Sequence, residues 1–253
     1  MTEAPCEALD WDSRFFGVPI ARARSSRADA ASCAAMRAWC ETNQIRCLYF
    51  LCSADDADTI HALEDAGFHL MGIRVTLERA IGHKERRQDV PVDSAPESIG
   101  TRPARTSDVD ALRAVARTSH RDTRFHADPG FPADRCDELY ATWIEKSCSG
   151  YADHVIVAER DATPVGYISL HVDGASARVG LVGVDAAWRR HGIGRELLTG
   201  AIAWLSSRGV ERLSVVTPGR NVAAQALYQS MGFRTSDVQL WYHCWFESAP
   251  GDV

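Results

Sequence analysis

A glycine-containing loop between a predicted strand and a predicted helix is the part of this sequence best suited to chemistry. Residues 182–194 read Val-Gly-Val-Asp-Ala-Ala-Trp-Arg-Arg-His-Gly-Ile-Gly, and the glycines Gly192 and Gly194 open the helix. N–H groups at a helix N-terminus bind anions, and glycine lets a pyrophosphate approach the backbone because it has no Cβ. Arginine side chains beside the loop add donors suited to phosphate oxygens. The predicted anion site comprises Arg189, Arg190, His191, Gly192, Ile193, Gly194 and Arg195.

Two common phosphate-binding motifs do not fit this loop, and the sequence offers no metal-binding motif elsewhere. A dinucleotide-binding fingerprint would need a third glycine where Leu197 stands, and no Gly-Lys-Ser/Thr follows as in a Walker loop. A Gly-x-Gly pair at a helix start is by itself a common structural feature. The eight cysteines contain no CxxC pair, and the nine histidines form no HxxxH or HExxH group. We therefore expect no metal cofactor.

The order of residues around the loop is more specific than the glycines alone. The pattern V-x-V-x4-R-x-x-G-x-G at a strand-to-helix junction resembles the acetyl-coenzyme A loop of the GCN5-related N-acetyltransferase (GNAT) family. In that family a later helix begins with an asparagine and carries a tyrosine two turns on, before a glycine-phenylalanine pair. Asn221, Tyr228, Gly232 and Phe233 match this pattern, and the first two face the same side of the predicted helix. A tyrosine buried in the core is the structural alternative for Tyr228.

The resemblance implies a fold and a reaction. The fold is a mixed, mostly antiparallel sheet of the α/β (α+β) class, in which a bulge splays the strand before the loop away from the next strand. Pantetheine then lies in the gap against backbone groups near Val182 and Val184, with Asn221 and Ala224 also at the cofactor. A primary amine attacks acetyl-coenzyme A (acetyl-CoA) directly, and Tyr228 protonates the departing thiolate as general acid. A phenol with a pKa of about 10 can do this for a thiol with a pKa of about 8.5.

The elements that must position these residues follow from composition and periodicity. A charged, proline-containing stretch at 83–97 predicts an exposed linker, so we place a small α/β domain at 1–90 and the acetyltransferase domain at 98–253. In the second domain helical and strand patterns alternate, which predicts a mixed α/β fold with antiparallel hairpins. The predicted helices are 107–117, 134–146, 192–207 and 221–231, and the predicted strands are 155–158, 165–172, 177–184, 213–216 and 238–246.

The smaller domain is predicted to be a degenerate, noncatalytic partial copy of the larger one. Residues 61–68 align on their Gly-Phe pair with residues 226–233, and Leu63 then takes the place of Tyr228. No Arg-x-x-Gly-x-Gly precedes that segment. Chance similarity is the alternative explanation.

Two aromatic-rich stretches bear on the acceptor. Residues 9–19 and 119–132 resemble sugar-nucleotide acetyltransferases of the same family, in which a small domain precedes the acetyltransferase domain. This resemblance implies an amino sugar on a nucleotide, such as TDP-fucosamine, as acceptor. Asp122, Arg124 and His126 are the candidate acceptor residues, with Arg124 binding a phosphate and an acid or His126 accepting the amine proton. Salt bridges within the loop would explain the three residues equally well.

The composition of the whole chain limits the remaining partners. Of the 253 residues, 28 are Lys or Arg and 34 are Asp or Glu, so the net charge of −6 does not favour a nucleic-acid partner. The sequence has no signal-peptide pattern and no run of about 18 apolar residues, which predicts a cytoplasmic protein with reduced thiols and no membrane span. Apolar residues alternate with Trp241 and Trp245 on the last strand, which leaves a homodimer open. The alternative functions are acetylation of a peptide, protein or aminoglycoside amine, and noncatalytic coenzyme A binding.

Overall fold

Ten strands join into one sheet in the computed structural model, which describes residues 4–82 and 100–246. The strands of this part of the chain are β1 (Cys6–Ala8), β2 (Ile20–Ala23), β3 (Cys47–Ser53), β4 (His69–Ala80), β5 (Gly100–Pro103), β6 (His154–Arg160), β7 (Thr163–Asp173), β8 (Ser176–Val184), β9 (Arg212–Pro218) and β10 (Arg234–Trp245). The helices are α1 (Asp10–Phe16), α2 (Ala30–Thr42), α3 (Ala57–Asp65), α4 (Val109–Ser119), α5 (Arg124–Ala127), α6 (Ala133–Lys146), α7 (Ile193–Ser206) and α8 (Val222–Ser230). None of these helices is long and apolar enough to cross a membrane.

The sheet is mixed and mostly antiparallel, as the sequence predicted. Its order is β1-β2-β3-β10-β4-β9-β8-β7-β6-β5, and only the β2–β3 and β8–β9 pairs are parallel. Helices α7 and α8 pack on one core cluster of the sheet, and α1, α4, α5 and α6 pack on another. A third cluster holds the buried residues of α2 and α3. The α/β fold class is therefore confirmed.

The two halves of the chain exchange strands within this sheet. The units β3-α3-β4 and β9-α8-β10 have the same order, and each helix is followed by a Gly-Phe pair whose glycine, Gly67 or Gly232, has a positive φ. Strand β4 pairs with β9 of the other unit, while β10 inserts between β3 and β4. The amino-terminal strands therefore share one sheet with the carboxyl-terminal ones. The predicted boundary near residue 90 lies outside the described residues, so the division into 1–90 and 98–253 stays a prediction.

The strand before the glycine loop separates from its neighbour part of the way along. Strand β8 pairs with β9 only from Ser176 to Arg178, and the two strands diverge beyond that point. The register between β7 and β8 shifts after Val179, so that Gly180 and Leu181 both oppose Ser169. Such a bulge increases the local twist and bends the strand. The splayed strand pair expected from the resemblance is confirmed, with the gap opening where the bulge lies.

Candidate active site

The glycine loop turns sharply between β8 and α7. Asp185 accepts a hydrogen bond from the Ala187 N–H (2.8 Å) and closes a short 3-10 turn. Arg190 and Gly192 then adopt left-handed conformations, with φ of 65° and 82°. The first hydrogen bonds of α7 run from the N–H groups of Arg195 and Glu196 to the Gly192 carbonyl. The N–H groups before Arg195 therefore precede the helical ladder, which is the arrangement that binds anions.

Two arginine side chains of the loop are held by neighbouring helices. Arg189 donates to the Thr118 carbonyl at the end of α4 (3.2 Å), and Arg195 donates to Ser230 of α8 (2.9 Å). A Cβ on Gly194 would lie 2.8 Å from the Leu227 side chain, so this glycine also lets α7 approach α8. All seven predicted loop residues lie together around the start of α7. Their assignment to a cofactor phosphate stays a prediction.

The helix after β9 holds the predicted acid. Asn221 accepts a hydrogen bond from the Ala224 N–H (3.1 Å) and thereby caps α8, so its side chain has a structural role. Tyr228 is only 2% exposed and packs near Phe233 in the core beneath α7, as the structural alternative expects. Burial raises the pKa of Tyr228 above its ordinary value. The phenol is therefore protonated at neutral pH and can donate a proton, although its catalytic role stays a prediction.

The three predicted acceptor residues occupy different environments. Asp122 is exposed, and His126 lies between Thr123 (3.0 Å) and Asp137 (2.9 Å). The guanidinium of Arg124 stacks within 4.3 Å of three ring centroids, those of Tyr49, Phe125 and Trp241. The contacts of His126 agree with the alternative that local salt bridges explain these residues. Arg124 instead packs against aromatic rings. The assignment of the three residues to an acceptor stays a prediction.

A buried polar chain joins α5 to β10. The Asp128 carboxylate accepts from His243 Nδ1 (2.5 Å), Trp245 Nε1 (2.9 Å) and the Gly130 N–H (2.9 Å). Arg124 in turn donates to His243 Nε2 (2.6 Å). Burial opposes the ionisation of Asp128, but these hydrogen bonds outweigh it and leave its pKa below the ordinary value. Burial also lowers the pKa of His243, to about 4, so the imidazole is neutral at pH 7.

The same chain includes a group of potential metal ligands. Ligand atoms of Cys47, Asp128 and His243 lie within 4.8 Å of one another. Both ring nitrogens of His243 are already hydrogen-bonded, and one of them faces the positive charge of Arg124. A cation placed here would meet that guanidinium at short range. Hydrogen bonding therefore accounts for this cluster without a metal ion.

A cavity of about 450 Å³ opens beside the bulge of β8, on the face of the sheet that carries α1 and α6. A Cβ on Gly180 would lie 2.7 Å from His171 Nε2, so the absence of a side chain there makes room for the imidazole. Over the described residues the lining contains cations and aromatic rings but no Asp or Glu. The lining residues are Trp11, Trp143, Lys146, Ser147, Tyr151, Ser169, His171, Arg178, Gly180 and Leu181.

Sequence reasoning did not identify this cavity. Its residues come from α1, the end of α6, β7 and β8, and no local motif connects them. One signal was present, because Ser169 and His171 interrupt an apolar strand at the spacing that places both on one face. A polar pair of this kind on an otherwise apolar strand, opposite the bulge of β8, is a signal for a ligand site.

Comparison with known proteins places these features among acetyltransferases. The model of the "Acetyltransferase (GNAT) family" matches residues 119–233. The chain is 30% identical to dTDP-fucosamine acetyltransferase of Escherichia coli O6:H1 over 95% of this chain and 98% of that protein. It is 26% identical to spore coat polysaccharide biosynthesis protein SpsD of Bacillus subtilis, over 60% of this chain and 53% of that protein. The fold resembles a GCN5-related N-acetyltransferase from Sphaerobacter thermophilus, with a TM-score of 0.65 and 15% identity over 95% of this chain and 76% of that one.

Proposed function

Because the chain belongs to the GNAT family of acetyltransferases, which use acetyl-CoA, we propose that it acetylates the primary amine of a nucleotide-linked amino sugar. The chain is an acyl-CoA-dependent N-acetyltransferase by its family. The proposal concerns its acceptor and the roles of its residues. A relative named dTDP-fucosamine acetyltransferase, similar over nearly the whole of both chains, supports the acceptor class. A cytoplasmic location and a homodimer remain predictions.

The glycine loop binds the pyrophosphate of acetyl-CoA in this proposal. The N–H groups that precede the helical ladder of α7 supply donors, and Arg189, Arg190 and Arg195 supply positive charge. Pantetheine extends from there into the gap between β8 and β9, which opens beyond Arg178. Backbone groups of Val182 and Val184 face it there and polarise the thioester carbonyl.

Tyr228 protonates the departing thiolate. It stands on α8, seven residues after the helix cap Asn221, and its side chain packs in the core beneath α7. Since burial raises the pKa of Tyr228, the phenol is protonated at neutral pH and is the form of the side chain that can donate a proton to the thiolate. Removing only its hydroxyl is therefore the direct test of this role.

The cavity beside the bulge is the acceptor site, and its chemistry is the observation that carries the proposal. Lys146 and Arg178 bring positive charge, while Trp11, Trp143 and Tyr151 offer ring surfaces. A nucleotide sugar has two matching parts, a diphosphate that pairs with cations and a base that stacks on aromatic rings. The absence of acidic side chains from the described lining disfavours a polycationic aminoglycoside, which cationic walls would repel.

A panel of acceptors tests the proposal. With acetyl-CoA present, the enzyme should acetylate dTDP-fucosamine, with kcat/KM at least about tenfold above that for kanamycin or a short peptide with a free N-terminus, as followed by mass spectrometry. Acetylation of the peptide or kanamycin alone would support the other acceptors. Acetyl-CoA binding without acetylation of any amine would support the noncatalytic module.

Removal of one cation tests whether the cavity is the acceptor site. Lys146 lies 4.0 Å from the centre of the Trp11 ring, so Lys146→Met keeps most of the stem and removes the charge. KM for dTDP-fucosamine should rise about tenfold, the effect of losing one charged contact to a phosphate. Arg208→Met is the matched control, because Arg208 stacks on Trp204 (3.8 Å) outside the cavity. Equal KM values for both variants would contradict the assignment of the cavity as the acceptor site.

A further inference from the structure

His171 is the one imidazole in the lining of the cavity beside the bulge. It is half-buried on β7, and its Nε2 faces Gly180, the position at which β8 bulges. Its ring also contacts that of Tyr151, with centroids 5.3 Å apart. Within the described residues neither ring nitrogen of His171 is hydrogen-bonded to another residue. Nε2 is therefore available to a ligand in the cavity.

The other polar side chains of this lining are not free bases. Lys146 and Arg178 are cations, Tyr151 is a phenol, and Ser147 donates its hydroxyl to the Trp143 carbonyl (2.8 Å). The Ser169 hydroxyl already accepts a hydrogen bond from the Leu181 N–H (2.8 Å), which belongs to the bulge. An imidazole is the only basic group that remains in the described lining.

The surroundings of His171 keep its imidazole neutral. Burial lowers its pKa, Arg178 lowers it further, and Asp153 opposes both effects. Lys146 also lines the cavity from the end of α6 and adds positive charge. An imidazole with a pKa below its ordinary value of about 6.5 is unprotonated at pH 7 and can act as a base.

We propose that His171 is the general base that removes a proton from the acceptor amine. The inference rests on the proposed function, since it needs an amine in the cavity and acetyl-CoA in the gap between β8 and β9. The amine nitrogen forms a bond to the thioester carbonyl carbon, and the carbon–sulfur bond breaks with its electron pair on sulfur. The amine gives one proton to His171 Nε2, and the thiolate takes one from Tyr228. The two residues return to their starting states by exchange with solvent, so acetyl-CoA and amine yield amide and thiol.

The positions of His171 and Tyr228 fit their proposed roles as base and acid. Tyr228 packs in the core beneath α7 and α8, whereas His171 lines the cavity on the face that carries α1 and α6. The sheet between them is open where β8 and β9 diverge. Base and acid therefore lie on opposite faces of the sheet, on either side of the gap between β8 and β9.

The variant His171→Gln tests the assignment, because glutamine keeps a polar side chain and cannot titrate. For the acceptor of the panel that wild type acetylates fastest, kcat at pH 7 should fall about 100-fold, a usual contribution of general-base catalysis. The deficit should shrink as the pH rises towards the pKa of the acceptor amine, because hydroxide then deprotonates the amine. Calorimetry should show unchanged acetyl-CoA affinity.

A second half-buried histidine provides the control. His154→Gln changes another half-buried histidine, stacked on Trp204 at 4.2 Å, and should leave the pH profile unchanged. A loss in His171→Gln by the same factor at every pH would indicate a structural role and overturn the proposal, as would wild-type kcat. If wild type acetylates no amine of the panel, the proposed function itself fails, and the proposed role of His171 fails with it. The wild-type rate, measured first, separates the two failures.

Discussion

Replacement of Asp128 by asparagine tests whether the buried polar chain holds the exchanged strand β10 in place. Asp128 follows α5, while its partners His243 and Trp245 lie on β10, which inserts between β3 and β4. The side chains of Asp128 and His243 are fully buried. The Asp128 carboxylate accepts from both partners and from the Gly130 N–H. The hydrogen bonds of the Asp128 carboxylate therefore connect the end of α5 to β10.

Asparagine has the same shape but replaces one acceptor oxygen with a donor. If the amide nitrogen faces His243, the imidazole must accept at Nδ1 and carry its proton on Nε2, where it meets the N–H of Arg124 at 2.6 Å. If the amide turns over, its nitrogen faces the Gly130 N–H instead. Each orientation leaves two donors opposed in a buried site. Such a loss costs about 3 kcal/mol of unfolding free energy, since hydrogen bonds to a charged group are lost and a buried donor is left unpaired.

Urea unfolding at pH 7, followed by circular dichroism, measures this effect. Asp134→Asn is the matched control, because Asp134 is exposed in the first turn of α6. Surface substitutions of this kind change stability little, so the control should lose less than about 1 kcal/mol. An Asp128→Asn variant that loses no more than the control would refute the reasoning. Equal m-values are needed for the comparison, because a changed slope means a changed unfolding reaction.

Three further predictions concern the acid, the loop and the pH. Tyr228→Phe keeps the buried ring, so stability should change little. The kcat should fall on the order of 100-fold at unchanged acetyl-CoA affinity, because the general acid is lost. A kcat equal to that of wild type would remove this residue from the mechanism. Gly192→Asp and Gly192→Asn share the same left-handed backbone and differ in charge, so calorimetry should give acetyl-CoA a Kd about tenfold weaker in the Asp variant, and a gap that shrinks at high salt. Equal affinities would contradict an anion site at the start of α7. Burial lowers the pKa of His120 and His243 to about 4, below about 6.5 in the unfolded chain. Their contribution to stability is therefore complete above pH 6.5 and is lost as the pH falls towards 4, so urea midpoints that stay constant between pH 7 and pH 4.5 would disprove it.

The local parts of the candidate site were predictable from the sequence. The strand-loop-helix around Gly192, the cap Asn221 and the glycine after each helix depend on hydrogen bonds between residues a few positions apart. Their spacing therefore shows in the sequence, and the structure has them where the pattern indicated. The splay of β8 was expected only from the family resemblance, and the structure supplies its cause, the bulge at Gly180 and Leu181.

The arrangement of strands was not predictable in the same way. Strand β10 has an alternating pattern that fits any neighbour with a matching apolar face, and nothing in it indicates insertion between β3 and β4. Strands β1 to β4 lie in the same sheet as the strands that follow residue 99, and no local pattern indicated this. Pairing between strands far apart in the chain depends on how the whole fold packs, and a local residue pattern does not record it.

The sequence by itself determined the family, the glycine loop before α7 and the position of Tyr228, because each depends on short-range spacing and on residue types that few other sites combine. Only the tertiary structure decided what surrounds the bulge. Trp11, Lys146 and His171 come from α1, α6 and β7, and they face one cavity because the sheet and its helices bring them there. A ligand site made of such distant residues has no spacing that a linear reading can detect, and for that reason the candidate base emerged from the fold.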